Sequence, residues 1–394
     1  MSGSEIGAYP GVSKADLEVA KNYSSPFLLG PPMCDELIEL VRHMLTGEEA
    51  EVIQHLKPWR VRTAAGLARA SGRPLSEVKA ILHGLAHEKY IIASYGNGKE
   101  RELFAMMPVI PGTFESVLVR ISPESVTPWH RRFAELHEAL FSTGFTVKYV
   151  QKPIDSVRYL PVGEAIQNEP MALPSDRLGE ILDRYNDFAV GVCQCRLAKR
   201  LTDGGCGRTL EVCTVMGTLA PHLVDQGRMR KVSRNEVLEI KTAAEKEGLV
   251  TWMMNEESGK FTSASCSCCG CCCGALRTIS EFNTPGFIAP PHFMPHVDSV
   301  NCKLCGKCAE ACPMKAVLVL GEGEQKRLLY KHERCIGCGL CAVACPKGNV
   351  TMQPVPDYRQ PPGGWPSYLA KYLPRHLSNM LSVRSSRRQQ ERNA

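Results

Sequence analysis

Residues 302–346 read CKLCGKCAEACPMKAVLVLGEGEQKRLLYKHERCIGCGLCAVACP. One pattern occurs in it twice: Cys302, Cys305, Cys308, Cys312 and Pro313, then Cys335, Cys338, Cys341, Cys345 and Pro346. Two intervening residues let consecutive thiolates wrap one cubane from a single tight loop, and the fourth cysteine of each run reaches the other cluster. The spacing therefore predicts two interlocked 4Fe–4S clusters. Cys302, Cys305, Cys308 and Cys345 are the expected ligands of one, and Cys335, Cys338, Cys341 and Cys312 those of its partner. Small residues (Gly306, Gly337, Gly339, Ala309, Ala342) stand where backbone N–H groups come close to cluster sulfurs, and the proline after each fourth cysteine ends the turn that follows. Zinc takes paired C-x-x-C hooks across a longer gap, not three cysteines in register followed by C-P.

This stretch resembles the bacterial two-cluster ferredoxins. The resemblance implies iron–sulfur cofactors and electron handling. At 394 residues the chain is too long for one compact core, and its length predicts about two to four domains. A content of 44% hydrophobic and 22% charged residues is that of a globular protein and excludes a disordered one. Nineteen cysteines would suggest a disulfide scaffold in a small secreted protein, but here they fall in metal-ligand spacings. Met1, Ser2, Gly3, Ser4 and Glu5 carry no basic-plus-apolar leader and no twin arginine, so the expected setting is reducing and cytoplasmic. No apolar run approaches the ~18 residues of a membrane span.

The fold class read from the pattern is α+β multidomain. Residues 1–32 read as a flexible lead-in closed by Gly30, Pro31 and Pro32. Residues 33–107 resemble a winged helix-turn-helix. Thr46 and Glu49 form a capping box before Val52, Ile53 and Leu56; a second helix runs from Ala64 to Ala70; a third carries Val78, Ile81, Leu82 and Leu85; and a hairpin turns at Tyr95, Gly96, Asn97 and Gly98. The third helix offers Glu77, Lys79, His83, His87, Glu88 and Lys89, with no arginine for base edges, so protein docking is the expected role ahead of nucleic-acid binding. Residues 108–290 form a mixed α/β Cys-rich middle domain, with a helix over Pro128–Phe141, a strand over Thr146–Gln151, a helix within Pro161–Arg184 and another over Arg234–Glu247 capped by Ser233. Residues 291–353 are the two-cluster 2x(4Fe-4S) ferredoxin-like domain. His292, His296 and Asp298, in its Pro-rich entry, read as solvated loop residues.

Residues 354–394 are a basic tail, with Lys371, Arg375, Arg384, Arg387, Arg388 and Arg392. Leu369, Leu373, Leu377, Met380 and Leu381 fall on one helical face that Pro374 should kink or split. Basic and amphipathic together suggest an anionic membrane surface or an acidic partner.

The middle cysteines fall in two sets. Cys193, Cys195, Cys206 and Cys213, with Arg196 directly after the second, supply four thiolates from one loop-plus-helix unit, enough for a third 4Fe–4S cluster or a tetrahedral zinc. Cys266, Cys268, Cys269, Cys271, Cys272 and Cys273 then place six thiols within eight residues. No single cubane accepts all six from so short a loop, so at least three are expected to bind metal, with a redox-active thiol cluster as the alternative. Cys272, Cys273 and Gly274 are similar to the CCG motif of heterodisulfide reductases. Cys34, alone at a helix start, reads as an inert thiol.

The whole order is similar to a family of large ferredoxin-type iron–sulfur proteins found mainly in anaerobic bacteria and archaea. That likeness implies cluster binding and redox work. The chain carries neither G-x-G-x-x-G after a strand nor G-x-x-x-x-G-K-[ST], so flavin, NAD or ATP chemistry would come from a partner. The expectation is an electron-transfer protein serving a partner oxidoreductase. The alternatives are a disulfide-reductase-like subunit with a catalytic cluster at Cys266–Cys273, and a redox-sensing DNA-binding regulator.

Overall fold

The structure, a computed structural model, describes residues 9–393 except Trp59, 97–101, 151–152, 257–262 and 285–286, and leaves the side chains of 150, 324, 365 and 390–393 undescribed. Met1 to Glu5 and the turn residues Asn97 and Gly98 lie outside the described residues. The chain divides into two compact units. One comprises Met1–Tyr149, Leu201–Asp203 and Ser378–Ala394; the other comprises Val150–Arg200 and Gly204–Leu377.

The first unit is mainly helical. Where the sequence suggests a flexible lead-in, Ser13 caps a helix at Lys14–Tyr23 that buries Leu17, Val19, Ala20 and Tyr23. Further along, the Thr46 N–H donates to Glu49 Oε2 at 2.7 Å while the Thr46 hydroxyl accepts from the Glu49 N–H, closing the capping box ahead of the helix Gly47–Ile53. Strand β1 (Arg62–Thr63) leads into the helix Ala64–Ser71, which stops at Gly72 because only glycine takes its φ of 71° cheaply. The helix Leu75–His83 follows, then β2 (Ile92–Tyr95) and β3 (Leu103–Met106), in a sheet of order β1-β3-β2. Thr127 caps the helix Pro128–Ser142. The expected strand at Thr146–Gln151 is instead a helical turn, Phe145–Val150, in which the apolar Phe145 and Tyr149 pack inward four residues apart.

The second unit is built on an antiparallel sheet of six strands: β4 (Val157–Tyr159), β5 (Phe188–Val192), β6 (Glu211–Met216), β7 (Arg230–Val232), β8 (Val250–Met254) and β9 (Ser263–Cys268). Their order is β4-β8-β9-β6-β5-β7. Ser233 caps the helix Arg234–Lys246, which packs on this sheet; Val237 joins Val190, Met216, Val232 and Met253 in its core. Within Pro161–Arg184 the described helix of α type is short, Leu178–Leu182. Strand β10 (Phe293–Val297) then opens the cysteine-repeat region. The hairpin β11 (Val317–Leu320) and β12 (Arg327–Tyr330) separates the two repeats, and β13 (Val350–Pro354) returns to pair antiparallel with β10. Each repeat has the same local form: a left-handed glycine, Gly306 or Gly339, starts a four-residue helix, Lys307–Glu310 or Leu340–Val343.

The C-terminal helix Trp365–Asn393 runs on through Pro374, where the sequence suggests a break. The apolar face read from the sequence is its outer one, with Leu373 47% and Leu377 49% exposed, while Tyr372 is buried and donates to Asp155 at 2.8 Å. Among the described residues no helix is long and apolar enough to cross a membrane.

Candidate metal centres

The β11–β12 hairpin folds the end of the first cysteine repeat onto the second. Cys312, Cys335, Cys338 and Cys341 consequently line one cavity, whose other walls include Met314, Ala316, Ile336 and Tyr330. Backbone N–H groups point at the sulfurs: Ala316 donates to Cys312 Sγ at 3.2 Å and Gly337 to Cys335 Sγ at 3.4 Å. Close approach explains the glycine, because a side-chain carbon at Gly337 would lie 2.4 Å from Pro291 Cβ and 2.5 Å from the Phe293 carbonyl oxygen. Burial, followed by the neighbouring Cys335 and Cys312, pushes the Cys341 thiol up to about 12, and burial holds Cys338 well above the ordinary thiol range. Four thiols among apolar walls give up their protons only in exchange for a cationic centre, and N–H donors aimed at sulfur suit a thiolate-bound cluster. The donor set therefore fits iron–sulfur binding.

Cys302, Cys305 and Cys308 lie close enough together for the first two to act on the third, whose thiol is raised by burial first. Cys345 is held below its ordinary range: burial raises it, but the backbone N–H groups of Lys347, Asn349, Val350 and Gly348 outweigh that. Residues 301–349 match the family model of the 4Fe-4S dicluster domain. No curated protein and no solved structure matches the chain.

Beyond the dicluster domain, the middle cysteines gather only in part as the sequence suggests. Of Cys193, Cys195, Cys206 and Cys213, read as one set, the first three share an apolar cluster with Cys269 and Cys272, and Cys213 stands apart. Cys206 stands in a loop whose Gly204 and Gly205 take φ of 84° and 48°, and Arg200 Nε donates to the Cys206 carbonyl at 2.9 Å. This loop carries Cys206 to the turn after β9. There Cys206 Sγ lies 3.8 Å from Cys269 Sγ and 3.8 Å from Cys272 Sγ, and Cys271 Sγ lies 3.5 Å from Cys272 Sγ. All four sulfurs are within 4.8 Å of one another, and no other set of three or more His, Cys, Asp or Glu donors among the described residues closes so tightly. Cys213 cannot join them, because β6 pairs with β9 in the register Thr214↔Ser265 and so holds Cys213 Sγ 3.9 Å from Cys266 Sγ.

Cys266 and Cys268 share one face of β9, as period-2 alternation requires, and a second group runs along that face. From Cys213 it passes to Cys266, then by hydrogen bonds to Cys268 and Cys273, and ends at the Tyr159 hydroxyl, 3.8 Å from Cys273 Sγ. Cys193 is buried and pushed up to about 12, chiefly by that burial; Cys195 packs beside it in the same apolar cluster as Cys206, Cys269 and Cys272.

A buried cation faces each group. Arg196, fully buried, donates to the Thr209 carbonyl, to the Ser267 carbonyl at 2.9 Å and to Cys269 Sγ at 3.8 Å. Burial alone would lower its pKa, yet the sulfurs of Cys193, Cys269 and Cys206 hold it raised. The hydrogen bond with Cys272, and then Arg196, pull Cys269 down to about 4 against the opposing effect of burial. Lys241, also fully buried, donates to the Val212 carbonyl at 3.2 Å. Burial lowers its pKa, and Cys266, Cys213, Cys268 and Cys193 oppose that shift. Buried cations need buried anions, and here the sulfurs supply them.

From the sequence Arg196 reads either as a donor to a cluster sulfur or as a surface side chain, and its burial beside Cys269 overturns the second reading; the lysine gives no sequence signal at all. His292, read from the sequence as a solvated loop residue, is instead buried, and its Nδ1 pairs with Asp176 Oδ2 at 2.7 Å, tying the entry of the dicluster domain to the 3-10 turn Pro174–Asp176.

Proposed function

We propose that the chain is an iron–sulfur electron-transfer protein of a reducing compartment, passing electrons to or from a partner oxidoreductase. In this reading Cys302, Cys305, Cys308 and Cys345 hold one 4Fe–4S cluster and Cys312, Cys335, Cys338 and Cys341 the other, with a further metal centre among the middle cysteines. When bound, each cluster supplies reversible one-electron chemistry. The chain's own residues exclude water from the second site through Met314, Ala316 and Ile336, and aim the Ala316 and Gly337 N–H groups at its sulfurs.

One observation carries the reading: Cys312, from the first repeat, lines the cavity of the second repeat's cysteines. The path onward is supported by a shared core. Cys268 and Cys273 pack in one apolar cluster with Met314, Ala316, Ile336 and Cys338, so no aqueous layer separates the second thiol group from the dicluster domain. Anaerobic iron and sulfide content with low-temperature electron paramagnetic resonance tests it. The expected result is about eight irons per chain in the dicluster domain, with Cys312→Ser and Cys338→Ser losing the same cluster signal. Loss by Cys312→Ser of the signal that Cys305→Ser removes would overturn the assignment.

The first unit suits a docking role in a winged-helix-like domain rather than DNA binding, because Arg73 is paired with Glu51 at 2.6 Å and Lys89 with Glu49 at 2.7 Å, while the His87 ring is hydrogen-bonded to Glu102 at 3.0 Å. Salt-sensitive retention of duplex DNA would contradict this. In the tail, the outward leucines among Lys371, Arg375 and Arg384 suit an anionic membrane surface or an acidic partner.

A further inference from the structure

We infer that Cys206, Cys269, Cys271 and Cys272 hold a single zinc ion, separate from any iron–sulfur cluster. This names the metal and ligands of the further centre proposed above, but it rests on the geometry of these four residues and not on electron transfer. A zinc–thiolate bond of about 2.3 Å in a tetrahedron sets a sulfur–sulfur edge of about 3.8 Å. Three of the six sulfur–sulfur edges, at 3.8, 3.8 and 3.5 Å, lie close to that value, and all six are within 4.8 Å. Neither the cavity set of Cys312, Cys335, Cys338 and Cys341 nor the row from Cys213 to Cys273 closes to single-ion spacing. The difference separates a one-ion site from sites spread for a larger centre.

Charge and access agree with a structural ion. Four thiolates around a divalent ion leave two net negative charges, and the fully buried Arg196 guanidinium, donating to Cys269, offsets one of them inside the fold. Four protein sulfurs complete a tetrahedron, so no position remains for a substrate, as in closed structural sites. The ion would staple the glycine loop carrying Cys206 to the turn carrying Cys269, Gly270 and Cys271. That turn in turn rests on the dicluster domain, since a side-chain carbon at Gly270 would fall 1.9 Å from the Pro313 carbonyl oxygen. The staple thereby fixes the position of Cys268 and Cys273, which flank the turn and pack against the dicluster core.

The full chain is purified anaerobically, and zinc and iron are counted separately. Cobalt(II) then replaces the zinc, and the thiolate-to-cobalt charge-transfer band is recorded. About one zinc per chain is expected, with a tetrahedral cobalt spectrum. Cys206→Ser should lose most of the zinc while the dicluster iron stays. Cys271 is the exposed member of the set, so Cys271→His leaves the core packing alone even where Cys206→Ser fails to fold. This variant should keep the metal, because histidine also binds zinc, with the charge-transfer intensity reduced by roughly a quarter as four thiolates become three. Absence of zinc and of cobalt uptake with the iron intact overturns this inference alone; so does a fall of about four irons in Cys271→His, which would make the residue a cluster ligand. Zinc retained in a chain that binds no iron would instead defeat the electron-transfer reading.

Discussion

Replacing Gly270 by alanine tests the docking of the cysteine turn most directly. The added carbon would meet the Pro313 carbonyl oxygen at 1.9 Å and its carbonyl carbon at 2.9 Å, both main-chain atoms that cannot swing aside. One of the two segments must therefore retreat by about an ångström, and overpacking of this kind costs about 1–3 kcal/mol. In a unit of this size each kcal/mol lowers the unfolding midpoint by about 2–4 °C, so a drop of roughly 2–12 °C is expected. Anaerobic thermal unfolding followed by circular dichroism reads it, with metal content measured on the same samples. Gly47→Ala is the control: no atom lies within 4 Å of the new carbon there, at the first position of a helix, so the midpoint should hold or rise slightly. A Gly270→Ala protein that melts with wild type and keeps its full zinc and iron would show that the turn does not rest on Pro313, and the argument for a fixed Cys268–Cys273 position would fall with it.

Other changes probe the remaining contacts. Gly337→Ala must clear Pro291 and the Phe293 carbonyl, so it should lose about half of the dicluster iron by elemental analysis, while Gly348→Ala, which shares the strained positive φ (65° against 67°) but has open space around it, should keep that iron. Arg196→Met removes the buried cation beside Cys269 and should destabilise the second unit by about 3–5 kcal/mol, read as a lower denaturant midpoint and faster zinc loss to a chelator; Arg196→Lys, keeping the charge, should fall between. Paired Leu373→Glu and Leu377→Glu should leave the melting temperature within a few degrees, because both side chains are half exposed, yet abolish co-sedimentation with anionic phospholipid vesicles. Equal binding of that variant and wild type would remove the leucine face from the contact.

Much of the local architecture was legible because it depends on residues near in sequence. The capping box at Thr46 and Glu49, the stop at Gly72 and the Ser233 cap are all decided within four residues. The cysteine repeats carry their pairing in their spacing. What escaped reading depends on contacts made at a distance. The helix Lys14–Tyr23 looks unremarkable in composition and is held by burial. The tail's leucine stripe satisfies the helical period but faces outward, since Tyr368 and Tyr372 bury more area and find Ser156 and Asp155 as partners for their hydroxyls. The middle cysteines were regrouped by strand register: β6 is tied to β9 and carries Cys213 with it, whereas glycines free Cys206 to cross to the far turn.

That regrouping gives the two buried cations their meaning. A lone tetrathiolate would need one compensating charge nearby, and Arg196 supplies it from the helix that follows Cys193. Lys241, from another helix, is directed instead at the row of Cys213, Cys266, Cys268 and Cys193, where a sheet core would ordinarily hold a leucine. Burying an ammonium is favourable only if the sulfurs facing it carry charge when the protein is at work. Hydrogen bonds along the row hold Cys213 and Cys268 well above the ordinary thiol range and Cys266 well below it, so Cys266 already supplies negative charge beside Lys241, and a bound metal would make thiolates of its neighbours too. Lys241 thus marks the row as a place where the sheet core holds opposite charges together. Lys241→Met tests what the row holds: if the row carries a cluster, the loss of a buried positive charge should lower that cluster's reduction potential and leave the zinc count unchanged. If the row is inert, no reduction potential shifts with the substitution, because no cluster lies beside the lost charge.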